Sequence, residues 1–165
     1  MWIEKAVLVA AYLVSVFISD KYCSGYWVVG PVFAAAFLLS RYKKVLAHFS
    51  WRHIAFAAAS TLVYALVWWI ADNGWKFQND TLDMIFGSLS AAVIVGSILM
   101  PSIHVLLFGG DLKKTRQTAV LLVLSWYAVV LVSHLGDIND FGRNIDYGLV
   151  SIALWQGIYF LRLTA

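Results

Sequence analysis

Residues 81–116 read TLDMIFGSLSAAVIVGSILMPSIHVLLFGGDLKKTR, and this stretch decides the fold class. Thr81 to Phe108 is an apolar run with a single charged side chain, Asp83, in its first turn. As one helix it would extend about 42 Å, more than the roughly 30 Å hydrocarbon core of a bilayer, so it must tilt, kink or project. Pro101 is the expected kink, since its ring removes a backbone donor and crowds the preceding turn. Gly109 and Gly110 then stop the helix. Lys113, Lys114 and Arg116 follow at once. Acid at one end of a long apolar run and a basic cluster at the other is the signature of a membrane span oriented by the positive-inside rule.

The pattern continues in both directions. Apolar stretches at residues 2–19, 26–40, 54–71, 118–135 and 147–163 flank the 81–108 run, and the loops between them alternate in charge. Arg41, Lys43, Lys44 and Arg52 fill one basic loop, whereas Asp20, then Asp72 and Asp80, then Asp137, Asp140 and Asp146 fall in the acidic ones. With Lys5 and Arg162, nine of the twelve Lys and Arg lie on one side; Lys21, Lys76 and Arg143 are the exceptions. The expected fold is therefore all-α: a polytopic membrane protein forming one domain over residues 1–165, a bundle of six transmembrane helices with both termini cytoplasmic. The expected location is the inner membrane of a bacterium.

Composition agrees. Charged residues make up 13% of the chain and hydrophobic residues 62%, against roughly 25% charged in a typical soluble domain. The net charge of +3 does not imply nucleic acid, because the basic groups sit where orientation and anionic lipid require them. Cys23 is the only cysteine, which excludes an intrachain disulfide and a thiolate metal site. The apolar run from Ala6 to Ile18 has the length of a signal-peptide core, but Asp20, Lys21 and Tyr22 make a poor cleavage site, so it is read as the first span.

Tryptophans test this parse, since interfacial belts should hold most of them. Trp2 and Trp51 fall at the basic boundary, and Trp27, Trp68, Trp69 and Trp75 at the acidic one. Trp126 and Trp155 instead fall near the middle of their spans, so each indole N–H needs a partner in the bundle or a polar cavity. Gln156 lies beside Trp155, and lipid cannot satisfy its amide, so it must face the interior. The segment 134–146, HLGDINDFGRNID, is the densest polar cluster. It is read first as an interhelical loop, because Gly, Asp and Asn are what such a loop needs. Beyond that, Trp126, Trp155 and Gln156 are expected to form the floor of a ligand pocket, with His134, Asp137 and Asp140 at its outer mouth.

No metal site and no cofactor is expected, and no zinc-protease, EF-hand or nucleophile-elbow pattern occurs. His104, near the basic end of its span, is expected to bond a backbone carbonyl freed near Pro101. The segment 41–53, RYKKVLAHFSWRH, is read as a turn or as a short helix lying on the inner leaflet. Small-residue pairs such as Ala92 with Gly96 and Ala55 with Ala59 permit close helix approach, within the chain or against another membrane subunit.

Three classes of function follow. The first is a transport or ligand-binding subunit for a small or amphiphilic solute, its pocket opening to the extracytoplasmic side. The second is a non-catalytic accessory protein that binds another membrane protein or lipid. The third, a membrane-embedded enzyme with a His134 and Asp137 site, has the least support. The expected partners are the lipid bilayer, a membrane subunit and a small molecule, and not nucleic acid.

Overall fold

The computed structural model describes residues 2–21, 26–78, 80–138 and 147–164. Among them the chain is all-helical, with no strand: α1 (Trp2–Lys21), α2 (Tyr26–Ser40), α3 (Tyr42–Ala47), α4 (Trp51–Asn73), α5 (Asp80–Phe86), α6 (Ser88–Phe108), α7 (Leu112–Ile138) and α8 (Tyr147–Thr164). Three of these, α4, α6 and α7 as far as Ser133, are long and apolar enough to cross a membrane. Shorter apolar segments occupy Val9–Ile18 of α1 and Val29–Leu39 of α2.

The six longer helices close a ring. α1 packs on α2, α2 on α4, α4 on α6, α6 on α7, α7 on α8, and α8 returns to α1. Each neighbour is the next long helix along the chain except at the closure, where the Tyr12 hydroxyl donates to the Ala153 carbonyl at 2.8 Å. Adjacent helices run antiparallel, as α4 and α6 illustrate. Phe56 near the start of α4 meets Phe108 at the end of α6, and the Ser88 hydroxyl at the start of α6 donates to the carbonyl of Ala71.

Aromatic side chains fill the axis of the ring. Phe33 and Phe37, both fully buried, project from α2 and touch α8 at Trp155, Tyr159 and Phe160. They also reach α4 at Tyr64 and Phe56. Edge-to-face and tilted ring pairs of this kind add packing energy where burial alone gives little drive. The outer surface is the reverse of a soluble one: Leu13, Phe17, Leu62, Trp69, Leu106, Leu124 and Leu131 are all exposed.

Gly30 explains how α2 and α4 come so close. A Cβ there would lie 2.5 Å from the Thr61 Cα, so only glycine allows this crossing. Ala92 and Gly96 likewise serve contacts inside the ring. Ala92 is fully buried, and a Cβ on Gly96 would approach a Val67 methyl at 3.0 Å.

Three expectations about the elements require correction. The 81–108 stretch is two helices, broken at Gly87, whose extended backbone caps α6. The break is held by the 75–77 loop folding back. The Trp75 Nε1–H donates to the Phe86 carbonyl at 2.8 Å, the Phe77 N–H to the Asp83 carboxylate at 2.7 Å, and the Ser88 N–H to the Trp75 carbonyl at 3.1 Å. The longest helix is therefore α7, with 27 residues, not the one containing Pro101. Helix α6 runs through Pro101 to Phe108, where Gly109 at φ +76° ends it by donating to the Val105 carbonyl. Finally, α7 begins at Leu112, so Lys113, Lys114 and Arg116 lie on its first turns and not in a loop. The Asp111 carboxylate caps it by accepting the Lys113 N–H at 2.8 Å. Asn79 and the loop residues Asp140, Arg143, Asn144 and Asp146 fall outside what is described.

Candidate functional site

Helix α6 carries a polar stripe. Ser90, Ser97 and His104 are spaced by seven residues, which places them on one face two turns apart, and all three are buried. The two midspan tryptophans meet this stripe from different helices. From α7, the Trp126 Nε1–H donates to Ser90 Oγ at 2.8 Å. From α8, the Trp155 Nε1–H donates to Ser97 Oγ at 2.9 Å. Both indoles thus point into the bundle and find partners there.

Gln156, 1% exposed, hydrogen-bonds with the Tyr64 side chain of α4. Nearby, Trp155 stacks on Tyr159 at 5.7 Å between ring centroids, and the Tyr159 hydroxyl donates to the Met100 carbonyl at 3.2 Å. Trp155 and Gln156 therefore share a polar and aromatic seam with α4 and α6, while Trp126 joins the same stripe two turns away at Ser90. His134 and Asp137 lie in the last turns of α7, but their side chains are outside the described set, and Asp140 is outside it altogether.

At its other end the stripe opens. His104 is surrounded by the rings of Phe37, Phe56, Phe108 and Tyr159, at 5.3 to 6.4 Å between centroids. Its Nδ1 is buried without a hydrogen-bond partner, so the expected bond from that nitrogen to a freed carbonyl is not made. His104 forms one wall of a cleft of about 190 Å³, lined also by Arg41, Phe108, Gly109, Asp111, Lys114 and Arg162. The Arg41 guanidinium lies over the Phe37 ring, 5.3 Å from its centroid. Burial lowers the pKa of Arg41 from its ordinary value, and the neighbouring Tyr159 acts in the opposite sense.

The short helix α3 and the loop after it flank this end. Leu46, Phe49 and Trp51 are exposed there, and Phe49 stacks on His53, which in turn meets Phe108 of the cleft. His53 is fixed by α4's first turn, its Nδ1 accepting the Ser50 N–H at 3.1 Å.

Trp126, Trp155 and Gln156 are legible in the sequence as midspan polar groups in need of partners, whereas Ser90 and Ser97, which accept from the two indoles, and the cleft are not. The signal for the serines was present in the seven-residue spacing of Ser90, Ser97 and His104. The cleft had none, because its three cations come from positions 41, 114 and 162. No group of His, Cys, Asp and Glu suited to a metal occurs among the described residues. No family model, curated protein or solved structure gives a significant match to the chain.

Proposed function

We propose that this chain is a six-span inner-membrane protein with both termini cytoplasmic, acting as a ligand-binding or transport subunit for a small or amphiphilic solute. The observation that supports this reading is the α6 stripe. Polar groups inside a membrane bundle are expensive unless satisfied. Here three of them line one face of α6, two taken by the Trp126 and Trp155 indoles and the third, His104, with its Nδ1 unsatisfied, and aromatic side chains from α2, α4, α7 and α8 wall them. Aromatic walls with a few placed polar groups are the usual lining of a small-molecule site.

In this reading Trp126, Trp155 and Gln156 face the solute, and His134, Asp137 and Asp140 form the outer mouth. The accessory-protein reading loses part of its support, because Ala92 is fully buried and Gly96 faces Val67 within the ring, so this pair offers no small-residue face to a partner.

Gln156→Leu tests the proposal, since it removes a recognition group at similar volume. Native mass spectrometry of protein released in mild detergent should find a bound solute in the wild type and none in the variant, beside a stability loss of about 1 to 3 kcal/mol from the Tyr64 hydroxyl that loses its partner. A change in stability without any ligand-dependent difference overturns the reading.

A further inference from the structure

Orientation in a membrane requires basic residues at one surface, and exposed Arg52 and Arg116 meet that need without converging on anything. Arg41, Lys114 and Arg162 do converge. They approach one cleft from the turn after α2, the first turns of α7 and the last turn of α8. Among the described residues the single acid on its rim is Asp111, whose carboxylate is engaged in capping α7.

A second, independent observation points to a ligand. His104 is 5% exposed, lines the same cleft, and holds its Nδ1 without a partner. Arg162 also keeps a buried Nε without a partner, although its Nη2 donates to Gln117 at 3.3 Å. Buried nitrogens left unsatisfied at a cavity wall are costly unless something in the cavity bonds them.

We propose that this cleft binds a phosphate group, carried as a phosphomonoester dianion or as inorganic phosphate. The described lining brings Arg41, Lys114 and Arg162 together with one carboxylate, Asp111, a balance that favours an anion. The two guanidinium groups offer the forked N–H geometry that phosphate oxygens accept. A volume of about 190 Å³, against the roughly 30 Å³ that a water takes in the liquid, admits a phosphoryl group with a few attached carbons. The same chemistry is supplied by a lipid headgroup and by soluble phosphate. Exposed Phe49, which stacks on His53 against Phe108 of the cleft, suits the interface of the first source. The assignment shares His104 with the α6 stripe but rests on the cations that converge on the cleft. It concerns the end of α7 remote from His134, and the Gln156→Leu result neither supports nor removes it.

The test uses the full chain in nanodiscs or mild detergent, followed by thermal unfolding and native mass spectrometry. Inorganic phosphate and phosphatidic acid are titrated separately, with chloride and phosphatidylcholine as references. Wild type should prefer the phosphate species by at least about tenfold. Arg162→Gln and Lys114→Gln should each weaken that binding by about tenfold or more, whereas Arg52→Gln and Arg116→Gln should leave it unchanged. Binding of phosphatidic acid that inorganic phosphate does not displace identifies a headgroup site; full displacement identifies a soluble phosphate site. An equal loss in all four variants shows diffuse surface charge at work and overturns the proposal. So does the absence of any preference in the wild type, a comparison that needs no variant to fold.

Discussion

The two indole to serine bonds differ in burial, and so should the consequences of breaking them. Trp126 is 8% exposed and bonds Ser90 inside the ring, whereas the Trp155 to Ser97 pair is only part-buried. Interhelical bonds in membranes contribute about 0.6 kcal/mol on average, but a buried donor left without a partner costs about 1 to 3 kcal/mol. Ser90→Ala should therefore destabilise the protein by about 1 to 2 kcal/mol and Ser97→Ala by about 0.5 to 1 kcal/mol. Reversible unfolding in mixed micelles checks the order, and a double-mutant cycle with Trp126→Phe should return most of the Ser90 loss as coupling. At this scale the sequence was half legible. A tryptophan away from the interface announces a need for a partner, but serine is common in membrane spans and does not announce itself as that partner. His104 was harder still, because Phe37, Phe56 and Tyr159, which surround it, lie far away along the chain.

Helix boundaries were legible where local chemistry sets them and hidden where tertiary contacts do. Gly109 ends α6 as its lack of a side chain predicts, since a φ of +76° is strained for other residues. Gly87 sits inside an apolar run that reads as continuous, and only the return of Trp75 and Phe77 onto α5 reveals the break. The start of α7 was obscured by its own charges, which look like a loop until Asp111 is seen to cap the helix. Close approach of helices is likewise invisible in the local pattern, yet it is testable at Gly30. Gly30→Val places a Cβ within 2.5 Å of the Thr61 Cα, and backbone cannot move aside as a flexible side chain can. The variant should lose about 2 kcal/mol or more, read as a lower unfolding midpoint in detergent. Thr61→Ala would not rescue it, because the obstruction is the α4 main chain.

For the whole molecule, composition marks the apolar character and the length of the apolar runs the all-α class, and the exposed Leu13, Leu62, Leu106 and Leu124 fit a lipid solvent. The order of the ring is not written in any one segment; it follows from short connections that force neighbours antiparallel, and from α8 finding α1. The proposed orientation is open to direct measurement. Reporter fusions within the loop containing Lys76 should be active outside the cytoplasm and those near Lys113 inside it. The opposite pattern would reverse the orientation and place the basic cleft on the outer face.

The closure of the ring also has a bearing on biogenesis. Phe33 and Phe37 of α2 rest against Trp155, Tyr159 and Phe160 of α8, and Ser97 accepts from Trp155. During synthesis from the N-terminus, α2 and α6 are made long before the segment that covers them. The growing chain therefore spends most of its insertion as an open arc whose aromatic lining and unsatisfied hydroxyls face lipid or an insertion factor. Long-range contacts of this kind come late and slowly. A ribosome that stops short of Tyr147 would release a product whose exposed inner face distinguishes it from the finished protein, which is the feature a membrane quality-control protease needs to tell the two apart.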